Sequence, residues 1–382
     1  MDPSIKLSSL LLASIESTGL VIGIVLIGYI GSRSGIISQK IRKNLAQLVM
    51  NLFLPCLLFS QIGSNISASM LLNLWPLAFF CIIYIVIGRF FSKLGSKLLR
   101  LSSSNKKFVE RSITFNNITS LPVGFIKVLA NTNVIRLFAC DDDEPSEQTV
   151  TRGITYLLLS TLFVLITRCI LDLIFSKEKL VKLTKNDLKT LPIYYDETTP
   201  LITARSKSKC KKLFKTLGSV MSPPLYAGIL AIIIGTIPSL KNIFFEEASF
   251  HRNITRAMQC IASMTVPLTL LNIGAQSGFA TNLKERETIK SISFIMSCRF
   301  FLMPIIGGLL TLTVRNWFID DPMLIFVLIA LACWPTNIDF MNTESNTAAL
   351  IHADDLIDAI IHFQTRIHWK QMLAHKVFKL NS

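Results

Sequence analysis

Two amides, Asn116 and Asn117, stand shortly before Pro122 in an apolar stretch, and Thr336 and Asn337 follow Pro335 in another. An amide inside an apolar span offers donors and acceptors without a permanent charge, so it can hold an anion and still release it. Where a helix resumes after a break, its first backbone N–H groups point into the gap, and the dipole there favours a carboxylate. The same amides would equally satisfy carbonyls freed by the proline. Thr119 and Ser120 read as partners of backbone. Asp339 lies near the second break, where a carboxylate relays a proton, binds a cation, or sits solvated at the end of its span. Lys127, five residues past Pro122, attracts an anion or snorkels toward headgroups. Asn51, one turn before Pro55, lines a cavity or bonds to a neighbouring helix. Arg168 and Asp172, four residues apart, read as a pair on one helix face. Arg299 has no acid nearby in sequence, which predicts a carbonyl or acidic contact on another helix.

These residues must be positioned by elements that cross a bilayer. Of the 382 residues, 51% are hydrophobic and 16% charged, with mean hydropathy +0.52. A soluble domain carries about 25% charge. The net charge of +15 lies in short tracts between apolar runs, a topology signal rather than a nucleic-acid surface. The eight cysteines show no CxxC spacing and mostly occupy apolar runs, which argues against a disulfide framework or a zinc site. No metal or other cofactor is expected. The start of the chain lacks a basic n-region and a cleavage site, so the first span itself is expected to direct insertion.

Taking about 20 apolar residues per crossing, the spans fall near 18–37, 44–64, 71–91, 110–130, 153–176, 219–240, 254–278, 289–313 and 322–341. The tracts 32–43, 92–107 and 177–217 are rich in base, the last with ten Lys and Arg205 against four acids. They alternate with base-poor tracts at 64–70, 131–152 and 241–253. The positive-inside bias therefore places the basic loops in the cytosol and the N-terminus on the opposite side. The sequons at Asn65 and Asn253 fall on the non-cytosolic side.

Pro55 and Pro122 are 67 residues apart, and Pro267 and Pro335 are 68 apart. Each interrupts an apolar span, and interior proline costs a helix a hydrogen bond. A shift of 212 or 213 residues carries the first pair onto the second, whereas Pro76 and Pro304 find no match. Five spans precede the basic loop, so a second copy starts from the opposite face. The pattern predicts an all-α polytopic membrane protein of two inverted five-helix repeats, with broken helices at positions four and nine. The first repeat is 1–176, the cytosolic loop 177–218, and the second repeat 219–382.

Leu52-Phe-Leu-Pro-Cys-Leu-Leu-Phe-Ser-Gln-Ile62 resembles the second helix of the auxin efflux carrier family, which includes plant PIN and PIN-like carriers and fungal relatives. Asn116-Asn117 with Leu121-Pro122 resembles that family's fourth helix, Pro223 to Pro238 its sixth, and Val266 to Ala275 its seventh. Arg299 with Pro304 is similar to the eighth, and Asp321-Pro-Met-Leu leading into Pro335 to the ninth. The ordered set covers roughly residues 15–345. The long basic loop with Tyr194-Tyr-Asp-Glu-Thr-Thr-Pro-Leu201 is closest in kind to fungal and PIN-like members.

The resemblance implies a scaffold part and a moving part, with helices four and nine crossing at mid-membrane. It implies transport of a small organic anion, auxin-like in the plant members, by alternating access. On that footing the substrate site comprises Asn116, Asn117, Pro122, Pro335, Thr336, Asn337 and Asn51, with Asp339 and Lys127 as coupling candidates. The partners implied are the anion and the lipid bilayer, with no nucleic acid and with a homodimer left open. The endoplasmic reticulum membrane is favoured over the plasma membrane. A sodium-coupled anion carrier of similar topology is the neighbouring alternative.

One stretch departs from the family. After Asn342 the chain carries Asp354, Asp355, Asp358, His362, Arg366, His368 and Lys370 where a tenth apolar helix is expected. Each central Asp or Arg costs roughly 2.5–3.5 kcal/mol on insertion. Either the tail lies on the cytosolic surface or the last helix is altered. A receptor or regulatory protein that keeps the carrier fold is the reading this tail favours. The chain contains no Walker-type, HExxH or GxSxG stretch, so ATP-driven pumping and enzyme activity are not expected.

Overall fold

A computed structural model describes residues 19–116, 120–130, 133–141, 143–190, 221–246, 251–278, 286–318 and 321–334. The described elements are helical. In chain order they are α1 (Gly19–Arg33), α2 (Gln39–Leu48), a π-helical turn (Val49–Phe53), α3 (Leu54–Asn65), α4 (Ala68–Asn73) and α5 (Trp75–Leu98). Then come α6 (Ser103–Thr114), α7 (Ser120–Leu129), a 3₁₀ turn (Asn133–Phe138) and α8 (Ser146–Thr190). The second half holds α9 (Pro223–Thr236), α10 (Pro238–Phe245), α11 (Arg252–Ser263), α12 (Thr265–Gly278), α13 (Arg286–Ser297), a second π-helical turn (Cys298–Leu302), α14 (Met303–Phe318) and α15 (Pro322–Cys333).

Among the described residues, five helical stretches are long and apolar enough to cross a membrane, or six if the bent pair α9–α10 is one span. α1 and α15 are apolar but shorter. The fourth expected span is two pieces, α6 and α7, with extended backbone at Phe115. The ninth ends at Cys333, and Trp334 turns extended, as the residue before a proline must. The tenth position, and the whole segment from 335 on, lie outside the described residues.

Proline acts differently from the expectation at several sites. Pro122 does not itself make the break; it sits in the first turn of α7, where a missing N–H goes unused. Pro55 and Pro304 each follow a π-helical turn, in which Leu54 N donates to Val49 O and Met303 N donates to Cys298 O. The wider turn absorbs the ring without interrupting the spans Gln39–Asn65 and Ile289–Val314. The sixth span, expected over 219–240, bends by 110° at Ile237, whose backbone Pro238 forces into an extended state. The fifth helix runs on to Thr190, well past the expected end at 176.

The main core gathers the inward faces of α3, α5, α7, α8, α9, α12 and α15. α9 crosses α3 at a pair of glycines: a Cβ at Gly235 would lie 2.9 Å from the carbonyl of Gly63. A second, smaller core stands apart, made of Leu101, Phe108, Val109 and Ile113 of the α6 region with Ile292, Ile295 and Cys298 of α13 and its π-turn. At the start of α15, Asp321 caps the helix by accepting from Met323 N and Leu324 N, and Tyr156 donates to Asp321 at 2.6 Å. Arg152 bridges Glu144 at 2.9 Å and Asp321 at 3.5 Å, tying the start of α15 to α8.

Candidate functional site

The second core sets up the site, because α13 grips α6 at both ends. At its N-terminal end Ser102 N–H donates to Glu287, where an anion suits the positive end of the α6 dipole. Glu287 is held below the usual carboxylate range, chiefly by that backbone donor. At the inner end Arg299 donates to Ser112 O from Nε at 3.3 Å and from Nη2 at 3.0 Å. Ser112 O is one of the carbonyls left without a helical donor where α6 stops. Arg299 is 2% exposed, so it brings a cation deep into the protein to the negative end of a broken helix.

Past Ser112 the chain opens a small cavity. Thr114, Asn116, Arg299, Tyr84, Met303 and Leu331 line it. Asn116 Nδ2 donates to Leu331 O, joining the break in the fourth span to the last turn of α15. Tyr84 donates to Leu328 O at 3.1 Å, one turn earlier on α15. Thr114 Oγ1 is buried with no hydrogen-bond partner among the described residues. Close by, the Arg168 guanidinium lies 5.7 Å from the centroid of the Phe115 ring, a cation–π contact. Two cations therefore converge on the break from the fifth and eighth spans. In a low-dielectric setting this is a place for an anion. The cavity is about 10 Å³, room for one water, so an organic anion requires its walls to part.

Of the residues expected from sequence, Asn116 is in this cavity. Pro122 is buried at the start of α7, and Lys127 is exposed in its last turn. Asn51 is exposed on the first π-helical turn and does not line the cavity. Asn117, Pro335, Thr336, Asn337 and Asp339 lie outside the described residues, as does the side chain of Asp172. Sequence reasoning assigned Arg299 only to a contact between helices; the structure gives that contact as a carbonyl of the broken span itself. The signal was present, as a lone cation in an apolar stretch. Thr114 and Tyr84 carried no such signal.

Among the described residues no group of His, Cys, Asp and Glu is arranged to hold a metal ion.

Residues 14–348 match the family model described as membrane transport protein. An uncharacterized transporter of Schizosaccharomyces pombe is 26% identical over 87% of this chain and 88% of its own length. An uncharacterized transporter of Saccharomyces cerevisiae is 24% identical over 84% of each chain. The protein PIN-LIKES 6 of Arabidopsis thaliana is 24% identical over 78% of this chain and 76% of its own.

Proposed function

Because the chain belongs to the auxin efflux carrier family of membrane transport proteins, we propose that it is a secondary carrier for a small organic anion, with its site at the break in the fourth span. The observation that carries this reading is the pairing of Asn116 with buried Arg299 in one cavity, against the end of α15. A neutral amide and a cation already committed to a carbonyl hold an anion without trapping it. In this proposal Pro335, Thr336 and Asn337, which follow α15 in the sequence, supply the ninth span's share of the site. Alternating access then consists of moving this paired break relative to its surroundings. The two halves of the chain act as inverted repeats in this scheme. We place it in the endoplasmic reticulum membrane, which is what the resemblance to fungal and PIN-like carriers implies.

The test is flux of a radiolabelled indole carboxylate in vesicles bearing the protein. Asn116→Ala is expected to lower flux about tenfold or more, the loss of one well-placed contact being worth about 1.4 kcal/mol or more. Undiminished flux in that variant removes the break from the site.

A further inference from the structure

Along α12, Thr265, Thr269, Asn272 and Gln276 recur at offsets of four, seven and eleven residues. At about 100° per residue the four fall on one narrow face. All are buried, at 2%, 3%, 2% and 7% exposure. The helix packs against α2, the first π-helical turn, α7 and α11, so this polar face looks into protein. Two of its atoms, Thr265 Oγ1 and Asn272 Oδ1, have no hydrogen-bond partner among the described residues. Buried polar atoms are nearly always satisfied, and an orphan marks a place completed by water or a ligand.

The stripe has two distinct ends. At one, Gln276 Oε1 accepts from Arg42 Nη1 at 3.1 Å, with Arg42 itself 5% exposed. Arg42 belongs to the base-rich tract that the positive-inside bias assigns to the cytosol. At the other, Thr265 sits near the middle of the span Arg252–Gly278. There Val266 comes against Gly124 of α7, the half-helix that restarts after the break. The polar face thus leads from the cytosolic side to the depth of the fourth-span break.

We propose that this stripe is the cytosolic half of the translocation path and that Arg42 captures the substrate carboxylate at its mouth. The proposal rests on the carrier reading above. In the arrangement seen here Arg42 is held by Gln276 and the path is shut. A carboxylate forms a charge-assisted bond to Arg42 stronger than the bond of a neutral amide. It displaces Gln276 and gains the amide of Asn272 one turn deeper. A single amide contact is exchanged at each step, so the anion advances without falling into a deep trap.

The experiment uses the full chain in vesicles with its cytosolic face outward or inward, with a radiolabelled indole carboxylate as probe. Arg42→Gln and Asn272→Leu are each expected to raise KM at the cytosolic face about tenfold while leaving KM at the opposite face within about twofold. Arg42→Lys, which keeps the cation and guards against misfolding, falls between. Gln276→Ala removes the amide that competes for Arg42 Nη1 and lowers the cytosolic KM. Equal shifts at both faces, or none, overturn the path while the Asn116 result leaves the carrier reading standing. Absence of flux in the wild type overturns both. Repeating Arg42→Gln in vesicles of neutral lipid separates substrate from headgroup: an effect confined to anionic lipid makes Arg42 a headgroup site and sinks the proposal.

Discussion

Among the described residues, two spans are interrupted, and the interruptions are finished in opposite ways. Where α9 bends into α10, no buried side-chain polar atom is left without a partner among the described residues. The Thr236 hydroxyl returns to Ile232 O at 2.7 Å, the Lys241 amine donates to Ile66 O at 2.9 Å, and Phe59, Phe244 and Phe245 fill the angle. Where α6 stops before α7, the freed carbonyl of Ser112 is met by Arg299 from another span, and Thr114 Oγ1 is left without a partner among the described residues. A proline-associated break is therefore not by itself a site. What distinguishes the fourth span is a cation carried across to it and polar capacity left over.

The largest effect is expected where that difference is greatest. Arg299→Gln removes the charge from the cavity and weakens the cap on Ser112 O. Loss of a buried hydrogen-bonded partner costs about 1–3 kcal/mol of stability. Flux of the indole carboxylate should fall more than tenfold, beyond what that loss of stability explains, since one lost charge-assisted bond exceeds about 1.4 kcal/mol. Arg299→Lys keeps a cation and should restore part of the flux. Thermal unfolding in detergent and flux in vesicles measure the two effects separately. Wild-type flux in Arg299→Gln erases the distinction between the two interruptions.

The interruptions also show how far the sequence could be read. The apolar spans were legible because twenty or so apolar residues have few other uses, and among the described residues five or six of the nine expected spans are met by helical stretches long and apolar enough to cross a membrane. The break in the fourth span was legible from Asn116, Asn117 and Pro122 together. Its exact position was not, because Pro122 is tolerated in a first turn and the helix yields earlier, at Phe115. The π-helical turns before Pro55 and Pro304 were also out of reach, since a five-residue shift in hydrogen bonding leaves no pattern in composition. They link two prolines that the 212-residue spacing does not pair. Arg299 was visible as an anomaly, but its partner is a backbone carbonyl 187 positions away, and carbonyls are the same in every residue.

At the bend the expected effect is smaller and of a different kind. Lys241→Met keeps the apolar stem and removes the donor to Ile66 O, a half-buried hydrogen bond worth about 0.5–1.5 kcal/mol. Thermal unfolding should move down slightly, and carboxylate flux should not change, since among the described residues no buried side-chain polar atom of this bend lacks a partner. A flux defect as large as that of Arg299→Gln, without comparable unfolding, would mean the bend shares in transport.

The smallest effect separates the two ends of α6, which the same partner element holds by opposite charges. Glu287 meets the N-terminal end through the Ser102 N–H, and its side chain faces solvent enough for water to screen it. Its carboxyl is lowered in the folded protein from the ordinary 4.5. A carboxylate lowered on folding stabilises the protein above its unfolded pKa, and that contribution is lost as pH falls through the folded value. Glu287→Gln should therefore unfold slightly more easily than wild type at neutral pH, with the gap closing in acid. Arg299→Gln should show no such closing, because a guanidinium does not titrate in this range. Thermal unfolding of both variants from neutral pH down through the carboxylate range measures this directly. A Glu287→Gln deficit that persists unchanged in acid would mean that its contact with α6 depends on shape and hydrogen bonding alone, and that only the inner end of the half-helix is held by charge.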